Sequence, residues 1–134
     1  ILTIAALKMG ASRALAVDID SQAVASTQEN AHLNELPKES YEVGIGSVAE
    51  ILTGRFSIIQ APLVLVNILA PIIVRLFSEG LEGLVSDSGT LLLSGILLNQ
   101  EPDVLKAAQG AGFKLTQRLA DEDWVGLALV KCLS

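Results

Sequence analysis

The sequence predicts an α/β fold: a doubly wound, mostly parallel sheet that finishes with an antiparallel C-terminal hairpin strand. Three observations carry this. Short continuous apolar runs, Leu63 to Val66 and Thr90 to Leu93, have the length of strands buried on both faces. They alternate with helical patterns, and the order helix, then β-α-β-β-α-β-α-β-β, is that of a parallel sheet with crossover helices. The last two strands are joined only by the acidic stretch Ala120 to Asp123, so they pair as an antiparallel hairpin.

Each element has a local reason. Ile1 to Gly10 has the pattern of an amphipathic helix closed by a C-terminal glycine. Arg13 to Asp18 is a short apolar strand ending in an acid. Asp20 and Ser21 are N-cap residues for a helix with Val24, Thr27, Ala31 and Asn34 at helical spacing, which the Asn34 to Ser40 segment and its Pro37 break. Tyr41 to Ile45 alternates as a strand, Gly46 and Ser47 turn the chain, and Val48 to Leu52 makes one helical turn. After Leu63 to Val66, Pro71 suits the first turn of a helix. That helix is expected to run through Ile73, Phe77, Leu81 and Leu84, with Arg75, Glu79 and Glu82 on its solvated face. Asp87-Ser88-Gly89 is a turn signal, and the following strand ends at Ser94-Gly95. Pro102 opens another helix, flanked by Glu101 and Asp103 at the positive end of its dipole and stopped by Gly110 or Gly112. Phe113, Leu115 and Leu119 then alternate with Lys114, Thr116 and Arg118, giving a strand with one wet face, before the strand Trp124 to Lys131.

Composition narrows the function. The chain has 134 residues, 51% of them apolar, enough for one domain with a sizeable core. A net charge of −6 with nine scattered basic residues argues against direct binding to a nucleic-acid backbone and suits a basic partner. The single cysteine, Cys132, excludes an internal disulfide and is consistent with a reducing, cytoplasmic compartment. His32 is the only histidine, so neither a histidine-dependent triad nor a multi-histidine metal site can form within the chain. No metal site is expected. The apolar stretch Ile58 to Phe77 resembles a membrane span in length, but Gln60, Pro62, Asn67, Pro71 and Arg75 interrupt it, and strand followed by helix accommodates all five.

Two polar residues stand where strands end, which is where open α/β sheets bind ligands. Asn67 follows Leu63 to Val66; it is either a ligand contact or a cap or turn residue of the next helix. Asp18 ends the first strand, and since Asp20 is better spaced to cap the helix, Asp18 is left to accept hydrogen bonds from ribose hydroxyls. Between them Ile19 either lies against a base or joins the core.

Several segments together resemble one family: Ile1 to Ala11, Val17-Asp-Ile-Asp20, Glu29-Asn-Ala31, Val66-Asn-Ile-Leu-Ala70 and Leu93-Ser-Gly-Ile-Leu97. The chain resembles the ribosomal protein L-eleven methyltransferases (PrmA-type) over nearly its whole length. That resemblance implies a Rossmann-like class I methyltransferase core that uses S-adenosyl-L-methionine to methylate lysine or α-amino groups of a basic, large-subunit ribosomal protein. In its terms Asp18 holds the cofactor ribose. Asn67 is both a cofactor contact and the active-site residue beside the incoming amine. The family's glycine-rich loop and its substrate-docking domain should precede Ile1, so residues 1–134 are expected to be a single partial domain, lacking the first strand and inactive alone. Where many class I methyltransferases read adenine with an acid, this chain has Ser47, and the adenine contact stays unassigned. Two other readings remain at this point: a nicotinamide-dependent oxidoreductase domain, in which Asp18 has the same ribose role, and a non-catalytic α/β interaction module.

Overall fold

A computed structural model describes residues 1–132, and the chain forms two compact units, Ile1–Ile59 and Gln60–Ser134, each with its own sheet. In the first unit the order is α1 (Leu2–Lys8), β1 (Ala14–Asp18), α2 (Ser21–Leu33), β2 (Tyr41–Ile45) and α3 (Val48–Leu52). β1 and β2 pair in parallel from Ala14 opposite Tyr41 to Asp18 opposite Ile45. The glycine signal after α1 is used as expected. Gly10 sits at φ +113°, its N–H bonds to the Leu7 carbonyl, and the Ala11 N–H reaches back to the Ala6 carbonyl. This pair of bonds satisfies carbonyls that the helix end would leave open. Away from the strand ends, the Arg13 guanidinium donates to the Ser57 hydroxyl (2.6 Å), and the Ser57 N–H donates to Glu42 (3.0 Å).

The second unit contains β3 (Ala61–Asn67), α4 (Ala70–Ser78), β4 (Val85–Leu97), α5 (Glu101–Gly110), β5 (Phe113–Asp121) and β6 (Trp124–Lys131). Its four strands lie in the order β3-β4-β6-β5. β3 and β4 pair in parallel while β6 is antiparallel to both its neighbours, so β3, β4 and β5 share one direction and β6 alone opposes it. The predicted terminal hairpin is therefore present. α4 buries Ala70, Ile73, Leu76 and Phe77, a stripe at helical spacing, and the Phe77 ring meets Phe113 of β5 edge-to-face at 5.9 Å. Leu91, Leu93 and Ile96 of β4, Val104 of α5 and Leu129 of β6 complete a core in which each is at most 1% exposed.

Three expectations change in this unit. α4 stops at Ser78, because Gly80 adopts φ +99° and starts a short 3-10 turn over Leu81–Leu84. Leu81 and Leu84 are still buried, but one carboxylate oxygen of Glu82 is buried without a partner, so Glu82 does not belong to a solvated helix face. Asp87-Ser88-Gly89 does not separate elements: β4 runs through it from Val85, and the turn chemistry appears as a left-handed Ser88 (φ 63°) where the β3–β4 register shifts. Leu119 is 66% exposed instead of sharing the inner face with Phe113 and Leu115. The cause is an extra residue in β5 around Thr116: Leu115 faces Leu129 and Gln117 already faces Ala128, so alternation inverts and Leu119 comes opposite Gly126.

These assignments predict a contrast. Leu129→Ala should cost about 2–5 kcal/mol in urea denaturation through lost burial and a residual cavity, whereas Leu119→Ala should stay within about 0.5 kcal/mol. Equal losses would contradict the inverted alternation.

Candidate functional site

In the first unit, Asp18 and Asp20 divide their labour as the spacing implied. Asp20 is the N-cap of α2, its carboxylate accepting from the Gln22 N–H at 2.9 Å. Asp18 accepts the Asp20 N–H on Oδ1 at 2.9 Å, a local turn that fixes its carboxylate at the end of β1. Its second oxygen has no bond among the described residues, and the side chain is exposed. Ile19 is 77% exposed, so it is not a core residue, and Ile45 at the end of β2 is 48% exposed. A fixed carboxylate flanked by exposed aliphatic side chains is chemically suited to a ribose hydroxyl pair beside a flat base. The donor set thus fits a nucleoside.

In the second unit, Asn67 is the last residue of β3, opposite Ser94 of β4. It does not cap the next helix: the N-cap of α4 is Leu69, whose carbonyl accepts from the Ile72 and Ile73 N–H groups, with no side-chain cap. Among the described residues nothing bonds to the Asn67 carboxamide, which lies at an open cleft of about 650 Å³. The cleft is lined also by Leu69, Gly95, Leu119, Asp121 and Trp124. Asp121 is its one charged residue.

Gly95 is the condition for this arrangement. β4 carries an extra residue here, since Leu93 pairs with Leu127 while Ile96 pairs with Val125, and Gly95 takes φ +80°. A Cβ at Gly95 would lie 2.7 Å from the Ile68 carbonyl oxygen and 3.0 Å from Asn67 Oδ1. A side chain there would force the Ile68 carbonyl to shift and would crowd the carboxamide, and the left-handed φ itself favours glycine.

The sequence pointed to Asp18 and Asn67 but not to Gly95 as the neighbour that leaves room for Asn67, nor to the cleft wall of Leu119, Asp121 and Trp124. A tryptophan at the start of a predicted strand, next to an acidic turn, was the only local hint, and it does not say which face the ring takes. Two carboxylates are held below their ordinary range elsewhere: Glu42 by the hydrogen bonds it accepts from Ser57, and Glu101 by the guanidinium of Arg118, which bonds it at 2.6 and 2.9 Å. Both tie elements together and neither lines the cleft. Because their pKa values are depressed on folding, whatever stability they add is present above the ordinary carboxylate range and fades as pH falls through it.

With this geometry in view, the solved structures place the fold. The crystal structure of ribosomal protein L11 methylase from Lactobacillus delbrueckii subsp. bulgaricus superposes with a TM-score of 0.82 at 29% identity, covering 98% of this chain and 65% of that one. The fold is the Rossmann-like methyltransferase core. The family model for ribosomal protein L11 methyltransferase (PrmA) matches residues 1–132, and the chain belongs to that family. Ribosomal protein L11 methyltransferases from Parasynechococcus marenigrum and Gloeobacter violaceus are 39% and 40% identical over 92% and 95% of the chain. The chain spans about two fifths of their length, 42% and 38% respectively.

Gly95→Ala is predicted to destabilise the protein by about 1–3 kcal/mol in chemical denaturation, combining left-handed strain with the two close contacts. A neutral Gly95→Ala would mean that neither contact constrains Asn67.

Proposed function

We propose that this chain carries the reaction core of an S-adenosyl-L-methionine-dependent protein N-methyltransferase acting on lysine or α-amino groups of a ribosomal protein. The observation that carries the reading is the unpartnered Asn67 carboxamide at the carboxyl end of β3, beside an open cleft, in a member of the PrmA family. Asp18 would hold the ribose through its carboxylate, with Ile19 against the base. The cofactor would supply a methyl group on a positively charged sulfur. What this chain does is bind and orient. The Asn67 carbonyl can accept an N–H from a neutral amine and so aim its lone pair, while its amide N–H₂ remains free to contact the cofactor. Positioning of this kind supplies a large share of the barrier reduction, and no proton need be held by the protein, because the methylated nitrogen can release its proton to water at the open cleft.

The partner follows from charge. A chain of net charge −6 suits a basic ribosomal protein, and on this reading the reaction would be cytoplasmic and would use no direct nucleic-acid contact. Among the described residues no helix is long and apolar enough to cross a membrane. The oxidoreductase reading shares Asp18 but gives no task to Asn67, and the family match does not support it.

Asn67→Ala in the intact enzyme should lower the single-turnover rate on the order of a hundredfold while changing S-adenosylmethionine affinity much less. Asn67→Asp should keep or raise cofactor affinity yet still slow the step, because an added negative charge favours the cationic ground state over a transition state in which that charge disperses. Rapid-quench rates beside calorimetric affinities would check both. A near-normal rate in Asn67→Ala would remove the proposed role.

A further inference from the structure

Leu69, Leu119 and Trp124, all at the cleft beside Asn67, are 65%, 66% and 53% exposed. Leu119 is brought there by an irregularity that a regular hairpin would lack. The extra residue near Thr116 turns Leu119 off the core face, and Trp124 opens β6 on the face opposite to the buried Val125, Leu127 and Leu129. Trp124 pairs across the hairpin with Asp121, and the connection carries Glu122 and Asp123, with Glu122 in the left-handed region at φ 55°. So an indole, a leucine and a carboxylate share one wall, with no Lys or Arg among the residues lining the cleft.

We propose that Trp124 and Asp121 are specificity-determining residues for the lysine acceptors of that reaction, favouring a primary amine on an unbranched alkyl stem within a basic segment of the acceptor protein over an α-amino group. The inference rests on the methyltransferase reading and deepens it. The chemistry of the wall selects this occupant. An exposed indole beside an aliphatic side chain covers a methylene stem, and its π face attracts an ammonium. The only fixed charge in the cleft is negative, and the hairpin turn adds two more acids, so a cationic chain is drawn in and an acidic one repelled. Once at the cleft, the amine loses its proton to water and passes to the Asn67 carbonyl. The nitrogen then gains its methyl while the electron pair of the broken carbon–sulfur bond stays on sulfur. Asp121 and Trp124 touch the arriving chain; the cofactor is not their ligand.

The test uses the intact enzyme containing this chain, purified ribosomal protein L11 as acceptor, and S-adenosylhomocysteine as the probe of the cofactor side. Trp124→Ala is expected to raise the acceptor KM about tenfold with kcat and S-adenosylhomocysteine affinity within twofold, and Trp124→Phe to restore KM to within about threefold. Asp121→Asn should raise KM about threefold at low salt and flatten its dependence on ionic strength, since one charge of the attraction is gone. Trp124 is half exposed, so the alanine variant should melt close to the parent. If that variant does not fold, Trp124→Phe and the salt dependence of Asp121→Asn decide the matter. An unchanged acceptor KM in Trp124→Ala, or an equal loss of S-adenosylhomocysteine affinity, overturns the assignment. Failure of the parent reading looks different: the unsubstituted enzyme would then neither bind S-adenosylhomocysteine nor transfer methyl groups.

Discussion

The parallel ladder between β3 and β4 governs everything the second unit does. Leu63 to Asn67 is in register with Thr90 to Ser94, so the end of β3 is fixed by backbone hydrogen bonds to a strand that is itself held on its other edge by β6. The backbone at the end of such a strand cannot drift. The Asn67 side chain also gains no partner from the next helix, because Leu69 and not Asn67 caps α4. Rigidity of the backbone and freedom of the side chain together are what a positioning residue needs, since a catalytic amide is useful only where its own geometry is already settled.

The irregularities in the sheet serve the same place. The extra residue at Ser94–Gly95 leaves Asn67 Oδ1 the space that a Cβ would take, and the extra residue near Thr116 brings Leu119 out of the core and into the cleft. Bulges weaken pairing locally, and their occurrence beside a binding cleft is a common use of them. The surrounding core tolerates this because it is dense where the ladder is regular: Leu91, Leu93, Ile96 and Leu129 are fully or almost fully buried.

How much could be read from the sequence depends on whether the signal was local. β1, β2, α2 and α3 fall where apolar runs, the Asp20 cap and Pro37 put them, because each boundary is marked by residues that act on their immediate neighbours. The end of α4 was misplaced because Leu81 and Leu84 keep helical spacing after Gly80 has already ended the helix. Asp87-Ser88-Gly89 has genuine turn chemistry, yet strand pairing absorbs it as a kink within β4. Leu119 shows the limit most plainly: a period-2 pattern cannot announce an extra residue, and one extra residue inverts every later position. The places of Asp18 and Asn67 at the ends of β1 and β3 were legible because the apolar runs before them mark where each strand stops. Gly95, Asp121 and Trp124 were not, because their placement depends on partners in other strands.

The central claim is that the Asn67 carboxamide is left unpartnered by the fold because a ligand uses it. The direct measurement is the side-chain amide resonance of Asn67 in the ¹⁵N-labelled intact enzyme during titration with S-adenosylhomocysteine. Asn34, whose side-chain amide already bonds the Asn30 carbonyl at 2.8 Å, serves as the internal reference. The account predicts a saturable shift of the Asn67 signal with that of Asn34 unmoved. Saturation of the enzyme with ligand while the Asn67 resonance stays in place would contradict it.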